Sequence, residues 1–182
     1  MTILEKVTHK PIVYKDGGMI RSFNDTTPTI ANSAYVDDAA VVIGDVRIEA
    51  DVTVLPQAVL RGDAGQIVVG EGSNVQDGAI LHEHAVLREH VTIGHAAIVH
   101  NATVDAGALV GMNATVLDGA SIGAGAVVGA GAVVTEGTTV EPDTLVTGIP
   151  AEPKMDIEGA PGAAAAERYV ALGKVYQEEA KQ

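Results

Sequence analysis

The sequence lacks several residue types that most proteins of its length use. There is no cysteine, so disulfide bonds and thiolate ligands are excluded, and any transition metal must be held by His, Asp or Glu. Tryptophan is absent and aromatic residues make up only 3% of the chain, which excludes an interior built on large rings. The 11 basic residues face 24 acidic ones, giving a formal net charge of −13. Nucleic acid and anionic membranes, which need a basic surface, are therefore not expected as partners.

Long apolar runs are missing as well. No stretch reaches the roughly 18 apolar residues of a membrane span, and the first ten residues contain no apolar signal-peptide segment. We therefore expect a cytoplasmic protein with one domain. Val, Ile, Leu, Ala and 21 Gly supply the interior instead, a composition typical of a narrow, repetitive core.

Aliphatic residues recur every six positions, usually with Ala, Val, Thr or Ser two positions earlier. Helices repeat at about 3.6 residues and single strands at 2, so neither explains this period. A short strand plus a turn does, with three such units closing one triangular coil around one inward side chain per unit. Ordinary sandwich strands are the alternative, which the length of the unbroken series disfavours. The series are Val36, Val42, Ile48, Val54, Leu60; then Val69, Val75, Leu81, Leu87, Ile93, Val99; then Val104, Val110, Val116, Ile122, Val128, Val134, Val140, Val146.

The repeat predicts an all-β fold, a parallel β-helix of hexapeptide repeats with a C-terminal α-helix. We predict three segments: an N-terminal cap over 1–33, the β-helix over 34–148, and a linker with the C-terminal helix over 149–182. The helix itself is expected over 163–181, lying along one face of the prism. The six-residue phase breaks twice, with three extra residues near 61–66 and one missing before Val104. Solenoid proteins often carry function at such irregular places.

Two histidines are spaced by one full coil. His82 and His100 are 18 residues apart and each directly follows an inward aliphatic residue, so they stack on the outer surface about 4.8 Å apart. With the insertion counted, Arg61 falls one coil below His82. Stacked imidazoles supply half of a zinc site. His95 is the third candidate; it stacks with Asp77 on an adjacent corner, from which it more easily reaches the metal of a neighbouring prism in a threefold assembly.

Surface histidines without a metal are the alternative interpretation for each of these side chains. Histidine is polar and common outside cores, and the chain has six of them. We give this interpretation to His9, His84 and His90, which lack the coil spacing. For His82, His95 and His100 the spacing favours a shared metal, with both interpretations open at this point.

Several short strings between Thr29 and Ala151 follow a known pattern. They are Leu60-Arg61-Gly62-Asp63, Asn74-Val75-Gln76-Asp77-Gly78, Leu81-His82, Thr92-Ile93-Gly94-His95, Ile98-Val99-His100, Gly111-Met112-Asn113-Ala114-Thr115-Val116-Leu117-Asp118-Gly119 and Val146-Thr147-Gly148-Ile149-Pro150-Ala151. Together they resemble the γ-class carbonic anhydrase family of hexapeptide-repeat proteins. The hexapeptide repeat alone would be much less specific.

The resemblance implies a left-handed β-helix and a homotrimer. It implies that His82 and His100 of one subunit and His95 of the next hold Zn²⁺, for which Fe²⁺ and Co²⁺ are alternatives. The implied activity is the reversible hydration of carbon dioxide to bicarbonate by a metal-bound hydroxide, a carbonate dehydratase reaction.

The same resemblance implies roles for four polar residues beside the metal. Arg61 and Asp63 are implied to form an intersubunit ion pair. Gln76 is implied to hydrogen-bond the bound water or bicarbonate, and Asn74 to be a further polar residue of the site. We treat all four as candidate catalytic residues.

The chain departs from the family pattern where a proton must leave the site. It lacks the long acidic loop between the first two metal histidines, and Ala64 stands where relatives carry a glutamate after the Arg-x-Asp motif. Glu83 or His84 is the candidate replacement for the proton shuttle. Three other functions therefore stay open: metal-dependent cleavage of acyl-CoA thioesters, acyl transfer with one catalytic histidine and no metal, and a non-catalytic scaffold.

Overall fold

Short parallel strands wind into a solenoid in the structure, a computed structural model that describes residues 19–180. One helix, α1 (Pro161–Glu179), follows the strands. The strands are β1 (Ile20–Arg21), β2 (Thr29–Ile30), β3 (Tyr35–Val36), β4 (Val41–Ile48), β5 (Thr53–Val54), β6 (Val59–Val69), β7 (Asn74–Val75), β8 (Ile80–His82), β9 (Val86–Leu87), β10 (Thr92–Ile93), β11 (Ile98–His100), β12 (Thr103–Val104), β13 (Leu109–Val110), β14 (Thr115–Val116), β15 (Ser121–Ile122), β16 (Val127–Val128), β17 (Val133–Val134), β18 (Thr139–Val140), β19 (Thr144–Thr147) and β20 (Glu152–Asp156).

The strands stack in three ladders, one for each side of a triangular coil. One ladder runs β6-β8-β11-β14-β17, the second β6-β9-β12-β15-β18, and the third β3-β5-β7-β10-β13-β16-β19-β20. The first two form a single sheet because β6 is long enough to turn the corner between them. All pairings along these ladders are parallel except that of β19 with β20. The predicted all-β parallel β-helix with one C-terminal helix is confirmed.

The core is the column of aliphatic residues that the six-residue period predicts. Leu60, Leu81 and Val99 are register partners on successive coils, and none of them is exposed. The small residue two positions earlier is also buried, as Ala58 and Ala79 show. One large and one small inward side chain per hexad therefore fill the coil without a second layer.

Both phase breaks appear as local irregularities. Between β4 and β6 the register runs Gly44↔Gly62 and then Val46↔Ile67, so three residues are inserted on the β6 side. The missing residue shortens the corner after His100, where Asn101 adopts a positive φ of 45°. Both irregular corners lie next to the predicted site residues.

Helix α1 lies along the third ladder, held by side chains of the strands. Thr53 donates a hydrogen bond to the Tyr169 carbonyl (2.8 Å), and Thr92 donates one to the Gly162 carbonyl (2.9 Å). A Cβ at Gly162 would collide with backbone carbonyls of the coil, and one at Gly173 with the Thr53 side chain. Glycine thus permits close approach, although it weakens the helix intrinsically.

The larger apolar residues of the helix do not form its buried face. The buried residues are Gly162, Ala165, Ala166 and Gly173, whereas Leu172 and Val175 are exposed. Tyr176 stacks on Tyr35 of β3, with ring centroids 5.1 Å apart. Burial, followed by the hydrogen bond to Asp37, raises the pKa of the Tyr35 hydroxyl.

Short strands also occur outside the predicted β-helix segment. β1 and β2 both pair with β4, and the exposed strand β20 pairs antiparallel with β19. β2 continues the six-residue pattern by one unit, because Ile30 lies six residues before Val36, pairs with Ile48 and is buried. β20 does not follow the pattern, and its side chains are exposed. The first 18 residues, including His9, and residues 181–182 lie outside the described part, so the segment boundaries stay a prediction. Within the described residues, no helix is long and apolar enough to cross a membrane.

Candidate metal centre

His82 and His100 lie side by side because β8 pairs with β11. The two residues are register partners, and Arg61 of β6 is the partner of His82 on the preceding coil. Each histidine directly follows a fully buried residue, Leu81 or Val99, so its side chain points outward. The ring centroids are 5.0 Å apart and the planes are tilted by 59°. The coil spacing of 18 residues thus brings the two imidazoles together.

Each of the two rings is fixed by a carboxylate on its far side. His82 Nε2 lies 3.2 Å from an oxygen of Asp63, and His100 Nδ1 lies 2.5 Å from an oxygen of Asp118. A carboxylate only accepts hydrogen bonds, so the nitrogen that faces it is assigned the proton. The other two nitrogens, His82 Nδ1 and His100 Nε2, then carry lone pairs, and they lie 3.1 Å apart. Two lone pairs facing each other at this distance repel unless a metal ion or a proton lies between them.

The spacing of these nitrogens suits a transition-metal ion. Tetrahedral zinc with bonds of 2.0–2.1 Å separates two imidazole nitrogens by about 3.3 Å, close to the 3.1 Å observed. Imidazole is a ligand of Zn²⁺, Fe²⁺ and Co²⁺ alike. The side chains of His82 and His100 are 12% and 33% exposed, which leaves an open side for a further ligand or water. A proton shared by the two nitrogens would satisfy the same lone pairs, so analysis of the metal content must distinguish a bound metal ion from a proton.

Arg61 and Asp63 form an ion pair next to His82. One guanidinium nitrogen of Arg61 lies 2.8 and 2.7 Å from the two carboxylate oxygens of Asp63. The hydrogen bond from Arg61 is the main reason that the pKa of Asp63 is lowered, with His82 contributing. Only glycine fits at position 62 between them, because a Cβ there would collide with the backbone of Asp45. Asp63 is thus held ionised and aimed at the ring.

Asp118 is a site residue that the sequence analysis did not single out. It lies 18 residues after His100, so it continues the same column by one coil. The hydrogen bond to His100, followed by that from the Asn101 amide, lowers the pKa of Asp118. Extending the coil count by 18 residues from His100 predicts it directly.

We expect Asp118→Ala to weaken metal binding without unfolding the protein. The carboxylate fixes the His100 tautomer, and loss of such outer partners typically costs about 10–100-fold in metal affinity. Asp118 is a partly exposed surface residue, so the fold should persist. Co²⁺ titration in a calorimeter measures the affinity. Asp105→Ala is the matched control, because the Asp105 carboxylate lies 3.9 Å from Arg88 and away from the two histidines. Equal affinities in the two variants would contradict the role given to Asp118.

His95 lies on a different corner of the coil, with Asp77. Its Nδ1 is 2.8 Å from an oxygen of Asp77, and both side chains are about half exposed. The stack of Asp77 and His95 that the spacing predicts is present. Within one protomer His95 does not join His82 and His100, because β10 belongs to the other sheet. Its predicted metal role therefore requires a partner subunit, and stays a prediction.

Gln76 and Asn74 form a buried polar chain on the His95 side of the coil. Gln76 donates to the Asn74 side-chain oxygen (3.0 Å), and Asn74 donates to the Thr92 hydroxyl (2.8 Å). Thr92 in turn donates to the carbonyl of Gly162 in α1. This chain of hydrogen bonds fixes the Gln76 amide. Gln76 directly follows β7, which belongs to a different sheet from β8, so the amide does not lie beside His82 of the same protomer. The roles predicted for Gln76 and Asn74 thus also depend on assembly.

The two candidate shuttle residues differ in position. The His84 ring lies over Gly65 of the insertion, where a Cβ would approach ring atoms to 2.6–2.7 Å. Glu83 has a carboxylate oxygen near His82 and His100. His90 lies elsewhere, beside Asp51 and Glu71 in a cavity of about 160 Å³ under α1.

Comparison with known proteins gives the family of the fold. A family model described as "Bacterial transferase hexapeptide (six repeats)" matches residues 101–136. A structure titled a hexapeptide transferase family protein, from Anaplasma phagocytophilum, is 34% identical with a TM-score of 0.84, over 86% of this chain and 97% of that one. The chain belongs to the hexapeptide-repeat transferase superfamily. Proteins of this superfamily are left-handed β-helices, and trimers are their usual assembly.

Other members of the superfamily carry different names. The Bacillus cereus product of the BC4754 gene, titled "putative acetyltransferase", is 33% identical with a TM-score of 0.84, over 87% of this chain and 96% of that one. Protein YrdA of Escherichia coli is 40% identical over 62 residues, which are 34% of each chain. The match thus spans about a third of that curated relative.

Proposed function

We propose that the protein is a metal-dependent carbonic anhydrase that works at the subunit interfaces of a homotrimer. The supporting observation is the pair of ring nitrogens of His82 and His100, 3.1 Å apart, with Asp63 and Asp118 fixing the opposite nitrogens. His95 of the partner subunit would be the third ligand. Bound Zn²⁺ would acidify a water molecule and so supply a nucleophile for carbon dioxide at neutral pH.

The side chains around the rings prepare the site for this chemistry. Arg61 keeps Asp63 ionised, and Asp63 in turn holds the proton on His82 Nε2. This leaves the inner nitrogens free as ligands without any reorganisation when a metal arrives. The Gln76 amide is held by Asn74 of its own protomer. It would reach the metal of the neighbouring protomer, where it can both donate and accept hydrogen bonds and so orient the attacking water.

Acyl transfer is a second candidate, favoured because the Bacillus cereus relative is named as an acetyltransferase. Such a reaction needs a histidine as base and a surface that accepts the phosphates of coenzyme A. The charge of −13 opposes that requirement. Arg47, Arg61 and Arg88 each lie within 2.5–3.9 Å of a carboxylate, so their charges are already paired. For this reason the metal reaction is the main proposal.

Parallel assays on one preparation separate these functions. We expect Zn²⁺-loaded or Co²⁺-loaded protein to hydrate carbon dioxide above the buffer rate in stopped flow, and chelated protein to lose that activity. The same samples are tested for acetyl-CoA hydrolysis and for acetyl transfer to amine and hydroxyl acceptors. Acetyl transfer that survives chelation, without carbon dioxide hydration, would replace the proposal by the second candidate. Hydrolysis of acetyl-CoA by the loaded protein alone would indicate a metal-dependent thioesterase.

A further inference from the structure

Glu83 places a carboxylate next to the two histidines in the same protomer. Donor atoms of His82, Glu83 and His100 all lie within 4.8 Å of one another, and the three residues are half-buried. Asp63 and Asp118 hydrogen-bond the outer ring nitrogens. Glu83 is thus a third potential ligand that needs no partner subunit.

The backbone at Glu83 is unusual for this solenoid. A typical corner has one left-handed residue, three positions after the inward aliphatic, such as Gln57 (φ 63°) or Asn113 (φ 56°). The corner after Leu81 has two in succession, Glu83 (φ 42°) and His84 (φ 24°), and neither is glycine. This conformation is sterically unfavourable for any residue that carries a side chain. Strain of this kind persists where surrounding contacts enforce it, often at functional sites.

The shortened corner of the next coil enforces this conformation. The backbone N–H of Asn101 donates to the carbonyl oxygens of His82 (3.0 Å) and Glu83 (3.2 Å). Its side-chain amide also donates to Asp118 (3.3 Å), the residue that holds His100. The missing residue and the strained corner therefore converge on the carboxylate and the two rings.

We propose that Glu83 is an in-chain metal ligand, so that one protomer holds a divalent cation with His82, His100 and Glu83 before any partner contributes. The inference rests on the metal centre of the proposed function. Ligand atoms of a tetrahedral site lie about 3.3 Å apart, so the Glu83 carboxylate, now within 4.8 Å of the ring nitrogens, would have to move closer by rotation about its side-chain bonds. Two imidazoles and one carboxylate suit Zn²⁺, Fe²⁺ or Co²⁺. His95 of the partner subunit then adds to a site that is already loaded.

Co²⁺ titration of the unmodified protein and four variants tests this ligand. We expect His95→Ala to retain about one Co²⁺ per chain, because three in-chain ligands remain. Glu83→Gln should weaken Co²⁺ binding by more than about tenfold, since loss of a residue that only hydrogen-bonds a ligand already costs about that much affinity. The same change should shift the visible absorption band of the bound Co²⁺. The double variant should show no saturable binding. Glu89→Gln, on an exposed carboxylate at the next corner, is the matched control.

A glycine at the same position separates ligation from structure. Glycine adopts positive φ freely, so Glu83→Gly should raise the melting temperature of the metal-free protein while weakening Co²⁺ binding. Unchanged affinity and spectrum in Glu83→Gln would refute the in-chain ligand and leave three histidines as the site. No Co²⁺ binding by the unmodified protein would refute the ligand together with the metal centre. Normal loading without carbon dioxide hydration would refute only the proposed function.

Discussion

Replacement of His100 by alanine is expected to reduce the bound metal from about one ion per chain to almost none. Three protein ligands hold a catalytic zinc ion, and His100 supplies one of the two nitrogens that face each other at 3.1 Å. Without His100, the protomer offers only His82 and Glu83, too few to hold the ion before a partner subunit contributes. Its loss leaves His82 Nδ1 without its facing partner. Metal-dependent activity should fall with the metal. Elemental analysis of protein purified with Zn²⁺ and without chelator measures the effect.

His90→Ala is the control for that experiment. His90 is exposed, lies beside α1 and carries the same chemical change away from the site. Both variants should unfold at temperatures close to that of the unmodified protein, because each changes a surface side chain. Full metal occupancy in the His100→Ala variant would show that the ligand assignment is wrong.

Leu81→Ala is expected to lower the free energy of unfolding by about 2–5 kcal/mol, the usual range for a buried leucine. Leu81 is fully buried between Leu60 and Val99 of the adjacent coils, so no neighbour can fill the space without shifting a coil. For a chain of this length each kcal/mol corresponds to roughly 2–4 °C in melting temperature. Urea and thermal unfolding followed by circular dichroism measure the loss.

The matched control removes the same atoms from a surface leucine. Leu172 of α1 is 36% exposed, so Leu172→Ala should cost less than about 1 kcal/mol. Because Leu81 directly precedes His82, the core variant should also weaken metal binding. Equal stability losses in the two variants would contradict the assignment of Leu81 to the column of the core.

The six-residue period was enough to predict the coil, because each inward aliphatic has the same neighbours above and below. It also placed His82 with His100 and Asp77 with His95, since a coil of constant length turns sequence spacing into contact. The insertion before Ile67 could be located from the phase alone. Such predictions hold wherever the repeat is regular.

The features that the sequence missed lie where the repeat ends or is distorted. β20 has exposed side chains and no alternating pattern, so only its pairing with β19 defines it. The burial of Gly162 and Gly173 in α1 depends on close backbone approach, which hydrophobicity does not signal. The position of Glu83 follows from two consecutive left-handed residues, a property that its residue type does not favour.

A crystal structure of the Co²⁺-loaded protein, with anomalous scattering at the cobalt edge, tests the metal centre most directly. The account predicts one anomalous peak per chain, about 2.0–2.1 Å from both His82 Nδ1 and His100 Nε2. Protein that takes up no cobalt, with the two rings joined by a hydrogen bond, would contradict it, as would a peak bound only to other residues.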